Sequence, residues 1–303
     1  MKNILVIGGS YFAGRVFVEA LLEAGGYVPY VMNRGNRPLR LEGVHEIICD
    51  RHDTATISRG IEPREWHAVV DFCAYAPGDI ATVLQHLPGV VRQYVYISTA
   101  TVCRYSPQLP MGDDAAKIAG PSAGPEGAYA YDKWLLEGEL ARCCKDAAIP
   151  HVILRPAFVY GKYNYAPRES YFFDLIARNE PIVLPTPPQA LFSMVSVWDL
   201  AQVCIACLAN DAVAGEAYAV CGEELVSYDL LIETLESITS RKFDVRRQTV
   251  RVLNAARLPL PFPLEEHLVY SGARLTQVLR HRYLSLAEGL ARTHEWYRQA
   301  HGR

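Results

Sequence analysis

Residues 4–7, Ile-Leu-Val-Ile, run directly into Gly8-Gly9-Ser10-Tyr11-Phe12-Ala13-Gly14, and an apolar helical pattern over 16–24 follows, closed by Gly25-Gly26. No other feature narrows the fold as far. A short run of β-formers, a glycine turn and a helix make the first half of a β-α-β crossover. Further strands are predicted over 27–32, 46–49, 68–72 and 93–98, with helical stretches such as Asp79–His86 between most of them. Strands alternating with helices at this spacing imply a parallel sheet covered on both faces, and the handedness of crossovers leaves a doubly wound α/β sheet.

The second half is less regular. A strand is predicted over 152–154, ending at Arg155-Pro156, then a proline-rich loop over 181–188, a strand over 194–197 and a helix after Asp199. From Glu223 onward the pattern is mostly helical, broken at 259–263, and there is no internal repeat or low-complexity tract. The division expected is a dinucleotide-binding domain over 1–160, with 191–222 returning to it. A smaller C-terminal substrate lobe is expected from 161–190 and 223–303.

Composition removes several function classes. With 303 residues, half hydrophobic, and a formal net charge of −3, the chain can bury a large core and has no general attraction for nucleic acid or an anionic membrane surface. No segment approaches the ~18 uninterrupted apolar residues of a membrane span, and the run 4–7 is too short for a secretory signal. Eight cysteines are scattered without a disulfide framework. Cys204 and Cys207 fall in an apolar helical run, with no second pair or histidine cluster to complete a metal site, and Cys143-Cys144 sits on the helix after Tyr129. All are read as packing residues, no metal is expected, and the location expected is a reducing cytoplasm.

Chemistry is concentrated at two places. At the strand-to-helix turn, glycines let backbone amides approach a pyrophosphate at the positive end of the helix dipole, and Gly14 lets the helix pack closely on the strand. The turn Gly8, Ser10, Tyr11, Phe12 and Gly14 is therefore the candidate phosphate cradle. Further along, Tyr129-Ala130-Tyr131-Asp132-Lys133 holds a tyrosine and a lysine one helical turn apart on a common face. A free tyrosine, with a pKa of about 10, is a poor base at neutral pH, and a neighbouring ammonium stabilises its phenolate.

Taken together these strings resemble the extended and atypical short-chain dehydrogenase/reductases, the NAD-dependent epimerase/dehydratase family. The family carries Gly-x-x-Gly-x-x-Gly at the turn; here Tyr11 replaces the middle glycine. The resemblance implies cofactor contacts from Asn33 and Arg34 after the second strand, Asp50 after the third (with Asp53 beside it), Ala74 and Tyr75 after the fourth, Ser98, Lys133, and Pro156 and Phe158. NAD-binding members usually have an acidic residue where Asn33 stands. Its absence, with Arg34 adjacent, favours NADP over NAD.

The same resemblance makes Tyr129 the proton carrier, Lys133 its tuning cation and ribose ligand, and Thr99 the hydroxyl that orients the substrate oxygen. Thr101, Tyr160, Phe192 and Met194 are the implied substrate-side residues. Ala100-Thr101 stands where dehydratases have Asp-Glu, so water elimination is not expected. Phe192 stands where sugar-nucleotide epimerases commonly have a diphosphate-binding arginine, leaving Arg241, Arg246, Arg247, Arg251 and Arg274 as candidate replacements. The implied function is NAD(P)-dependent hydride transfer, as reductase or epimerase, at a carbinol or carbonyl carbon of a small or sugar-like substrate, by an enzyme for which the family suggests a homodimer. The alternative is a catalytically quiet NADP-sensing or RNA-associated protein, because the 8–14 and 33–35 strings also resemble chloroplast stem-loop RNA-binding relatives. The intact Thr99, Tyr129 and Lys133 set favours the enzyme, so nucleic acid is not the expected partner.

Overall fold

The computed structural model describes residues 1–187 and 190–302. Seven parallel strands form the central sheet: β1 (Lys2–Ile7), β2 (Tyr27–Asn33), β3 (His45–Ile48), β4 (Ala68–Asp71), β5 (Tyr94–Ile97), β6 (His151–Pro156) and β7 (Glu216–Val220). Their spatial order is β3-β2-β1-β4-β5-β6-β7. The order reverses direction between β1 and β4, and that switch point is where an open α/β sheet leaves a crevice beyond its strand ends.

Uninterrupted apolar runs are what strands buried on both faces require. Ile4 and Val6 enter one buried cluster with Phe17 and Val70, while Leu5 and Ile7 enter another with Val69, Ile80 and Leu136. Helices α1 (Phe12–Ala24) and α5 (Val197–Cys207) cover the first face; α2 (Asp79–His86) and α3 (Pro125–Asp146) cover the second. Cys204 and Cys207 are fully buried on α5, as packing residues should be. The sheet thus fixes the turn 8–14, the end of β5 and the N-terminal half of α3 around one crevice.

The second lobe is built around helix α4 (Glu169–Arg178), with its own aromatic core of Phe172, Phe173, Phe192, Tyr228 and Phe262. It departs from expectation in two places. The proline-rich segment contains a strand, Ile182–Pro185, paired in parallel with Val245–Gln248; Pro188 lies outside the described residues. The stretch after Glu223 also contains strand Leu225–Val226, paired antiparallel to Phe192–Ser196. Both strands are short, and Val245-Arg-Arg-Gln has one apolar residue in four. Such segments carry no alternation to read, and their pairing comes from tertiary packing.

Candidate active site

A cleft of ≈ 840 Å³ opens at the ends of β1, β4 and β5, bounded by the 8–14 turn, the start of α3 and the segment leading into α4. Gly8 has φ +81°, and a Cβ there would lie 2.9 Å from the Cys73 Cβ; a Cβ on Gly14 would run into the Gly8 carbonyl oxygen. The turn and the first helical residues are pressed onto the sheet. No side chain caps the start of α1, so its first amides, the unpaired donors of any helix start, are left for a ligand. The space, the missing Cβ atoms and the uncapped helix fit a dinucleotide pyrophosphate. Tyr11, at the middle position, stacks on Tyr165 at 5.5 Å and takes the Arg37 guanidinium over its ring at 3.8 Å. Its ring is thereby held by the rim of the cleft.

At the end of β2 the Asn33 side-chain oxygen accepts the Gly35 amide at 2.7 Å, while its amide nitrogen donates to Glu46 at 3.3 Å. Asn33 shapes the loop and leaves Arg34 exposed on the cleft wall. Asp50 lines the cleft beside His52, whose backbone N–H bond holds its carboxyl below the usual carboxylate range. Asp53 does not reach the cleft; it caps the short helix Thr54–Gly60, accepting from the Thr56 amide at 3.0 Å.

Beneath this wall lies a feature not anticipated from sequence. Arg51 and Asp71 form a buried fork-to-fork pair at 3.1 and 2.8 Å, with Tyr94 donating to Asp71 at 2.7 Å and the Cys73 amide at 3.0 Å. Burial alone would push the Asp71 carboxyl up, and the Arg51 charge overrides it and holds it down. A lone carboxylate closing the apolar strand Ala68–Asp71 was the available signal, since a charge so placed needs a partner.

Thr99, Tyr129 and Lys133 all line the cleft. Thr99 closes β5 and caps the turn Ala100–Val102, its hydroxyl 2.9 Å from that of Thr101. Lys133 is 1% exposed and donates to the Ala74 carbonyl at 2.9 Å and the Ile97 carbonyl at 2.7 Å, tying the ends of β4 and β5 together. An ammonium has three protons, so one remains for a ligand. Desolvation lowers its pKa to about 8.

Tyr129 faces the open cleft, yet the crowding of its walls pushes the hydroxyl up to about 12 through desolvation, with Tyr165 adding to the rise; Arg168 and a hydrogen bond from Thr99 pull it down. The expected tuning by Lys133 is not what the geometry gives first. The Lys133 Nζ is 5.9 Å from the Tyr129 ring centroid, and Arg168 is the cation whose charge opposes the rise. Arg168 was missed because it lies in a segment, 161–168, with no regular period.

Other expected residues divide between the cleft, Ser98 among its lining, and the interior. The Ser98 hydroxyl donates to Glu137 at 2.6 Å, and Glu137 forks onto Arg155 at 2.9 and 2.6 Å, so that hydroxyl serves the interior. Pro156, Phe158, Tyr75 and Thr101 line the cleft; Ala74 sits just behind it. Tyr160, Phe192 and Met194 do not line it. Phe192 is 0% exposed and stacks on Phe262 at 4.5 Å, because the lobe needs that ring for its own core. Of the candidate replacement cations, Arg274 pairs with Asp113 and Glu216, Arg246 with Asp244, Arg247 with Asp229, and Arg241 donates to Asn179, all away from the cleft. Arg251 does not line it either.

The sheet order and the glycine turn define a doubly wound Rossmann-type α/β protein with an added lobe. Within that class, residues 79–221 match the model of the NAD dependent epimerase/dehydratase family. The fold is similar to dTDP-glucose 4,6-dehydratase from Bacillus anthracis, solved with NAD (TM-score 0.79, 16% identity, 99% of this chain and 97% of that one). It is similar also to UDP-glucose 4-epimerase from Thermotoga maritima, solved with UDP-glucose (TM-score 0.78, 17% identity, 98% and 99%). A curated relative, the chloroplast stem-loop binding protein of 41 kDa b from Arabidopsis thaliana, is 25% identical over 242 residues, 75% of this chain. The match spans about three fifths (61%) of that relative's length. Among the described residues no helix is long and apolar enough to cross a membrane.

Proposed function

We infer that the chain is a nicotinamide-dependent oxidoreductase or epimerase acting on a sugar-like substrate. The observation that carries this reading is the convergence of Thr99, Tyr129 and Lys133 on one cleft with the glycine turn at its other end. A bound nicotinamide supplies the hydride acceptor and donor. Tyr129 carries the proton of the substrate oxygen, Thr99 donates a hydrogen bond that holds that oxygen, and Lys133 fixes the strand ends while offering its third proton to the cofactor ribose. The cradle belongs to residues 1–160, with 191–222 returned to the sheet, and the substrate wall to 161–190 and 223–303. The described cysteines are free thiols, which suits a reducing cytoplasm.

NADP is the favoured cofactor. Arg34 is exposed on the cleft wall, and no carboxylate replaces Asn33 to repel a 2′-phosphate. Arg34→Ala should weaken NADP binding by about ten- to a hundredfold and leave NAD nearly unchanged, the range expected of one charge-assisted contact. Fluorescence titration with both cofactors checks this; equal losses would show that Arg34 does not read the 2′-phosphate.

The curated relative's name, a stem-loop binding protein, supports the RNA-associated alternative as a second reading. Against it, the formal net charge is −3, and Arg178, Arg246, Arg247 and Arg274 of the second lobe are each paired with a carboxylate. Filter binding to a stem-loop RNA across a salt series is expected to show weak retention that vanishes by about physiological ionic strength. Tight retention there would favour the second reading.

A further inference from the structure

Among the described residues five arginines and lysines line the cleft: Arg34, Arg37, Arg51, Lys133 and Arg168. Four have evident occupations or lie elsewhere. Arg51 is locked on Asp71, Arg37 rests on Tyr11, Arg34 is at the β2 end, and Lys133 is tied beneath the surface. Arg168 alone stands on the second-lobe wall, and it does so next to Tyr129.

Its placement is built. The neighbouring Glu169 is buried and accepts the Gly161 amide at 2.8 Å and the Asn164 side chain at 3.3 Å, folding the segment 161–168 back on itself. Lys162 (2.5 Å) and Tyr163 (3.0 Å) both donate to Glu19 on α1, and Tyr165 stacks on Tyr11. The far end of the segment is thereby docked on the dinucleotide domain, and Arg168 lines the cleft at the near end. The guanidinium donates once, to the Val159 carbonyl at 2.5 Å, and lies 5.4 Å from the Phe158 ring centroid. Among the described residues no carboxylate lies within ion-pair distance of it; Glu169, held by the loop, acts on it only through its charge. A planar fork with most of its donors unspent, partly desolvated and lining the same cleft as Tyr129, is suited to an oxyanion.

We propose that Arg168 reads the substrate, selecting a sugar-like molecule that carries a carboxylate or a single phosphate close to the carbon whose oxygen faces Tyr129. This rests on the hydride-transfer reading for the role of Tyr129, but the anion site itself does not. One cation placed here matches one charge near the reacting carbon rather than a distant diphosphate, for which the usual arginine is replaced by the buried Phe192.

Calorimetric titration of the NADP-saturated protein with glucuronate, glucose 1-phosphate and glucose tests it. At least one charged probe should bind tenfold or more tightly than glucose, and the choice between the two identifies carboxylate or phosphate as the preferred source of charge. Arg168→Leu should erase that preference and Arg168→Lys should restore part of it, with NADP affinity unchanged in both. Equal binding of all three probes, no binding of either charged probe, or a preference that survives Arg168→Leu would overturn the proposal. The same titration on Tyr129→Phe should keep the charge preference. Preserved preference with undiminished turnover in that variant would sink the hydride-transfer mechanism and leave the anion site standing.

Discussion

Tyr129→Phe is expected to reduce turnover by about a hundredfold or more while leaving dinucleotide affinity nearly unchanged. The substitution keeps the ring, and with it the contacts to Tyr75 at 6.3 Å and to the Lys133 ammonium, and removes only the hydroxyl. The hydroxyl pKa of about 12 sits too high for a base at neutral pH. Arg168 and Thr99 already hold it down to that value, so further positive charge, such as an oxidised nicotinamide would bring when bound, must lower it in the working complex. Single-turnover measurement of cofactor reduction separates this chemistry from binding. Full activity in the variant would remove Tyr129 from the proton path.

The largest stability effect is expected at Arg51. Arg51→Met should destabilise the fold by about 3–5 kcal/mol, because it strands the Asp71 carboxylate in the interior with only the Tyr94 hydroxyl and Cys73 amide as donors. The pH dependence gives the sign. In the native pair the Asp71 pKa is lowered, so its contribution is fully present above the unfolded value of about 3.9 and is lost as pH falls through the folded pKa. Without Arg51, desolvation wins and the carboxyl pKa rises. The variant should then be most handicapped at neutral pH and should close part of the gap to wild type near pH 4. Urea unfolding of both proteins at pH 7 and pH 4 measures this. A deficit independent of pH would mean that packing, not the pair, sets the loss. Asp71→Asn in the Arg51→Met background should recover part of it at pH 7.

Much of the sheet was legible because parallel strands covered on both faces leave unmistakable apolar runs, and Asp79–His86 was read to the residue. The cradle was legible for the same reason: only glycine satisfies the positive φ at position 8 and the close approach at 14. What escaped reading are side chains whose meaning comes from convergence. Arg168, Tyr165 and Arg37 lie in loops without period, and each acquires a role only when the fold brings it to the cleft rim. Phe192 shows the converse. Alignment put it at a substrate position, but a large aromatic on a central lobe strand is claimed by the nearest core, here Phe158, Tyr228 and Phe262.

The stacking of Tyr11 on Tyr165, with Arg37 on the same ring and Glu19 anchoring the neighbouring residues, has a kinetic meaning. The clasp joins the phosphate turn to the segment leading into α4, and a dinucleotide taking a route along that rim would have to part it. Parting disturbs an aromatic pair worth about 0.5–1.5 kcal/mol, a cation on its ring and a docked carboxylate in one event. Along such a route arrival and departure would be slowed together, with little change in affinity. A catalyst that discharges its cofactor after every turnover meets this barrier each cycle; one that returns the hydride to the same substrate meets it once in many.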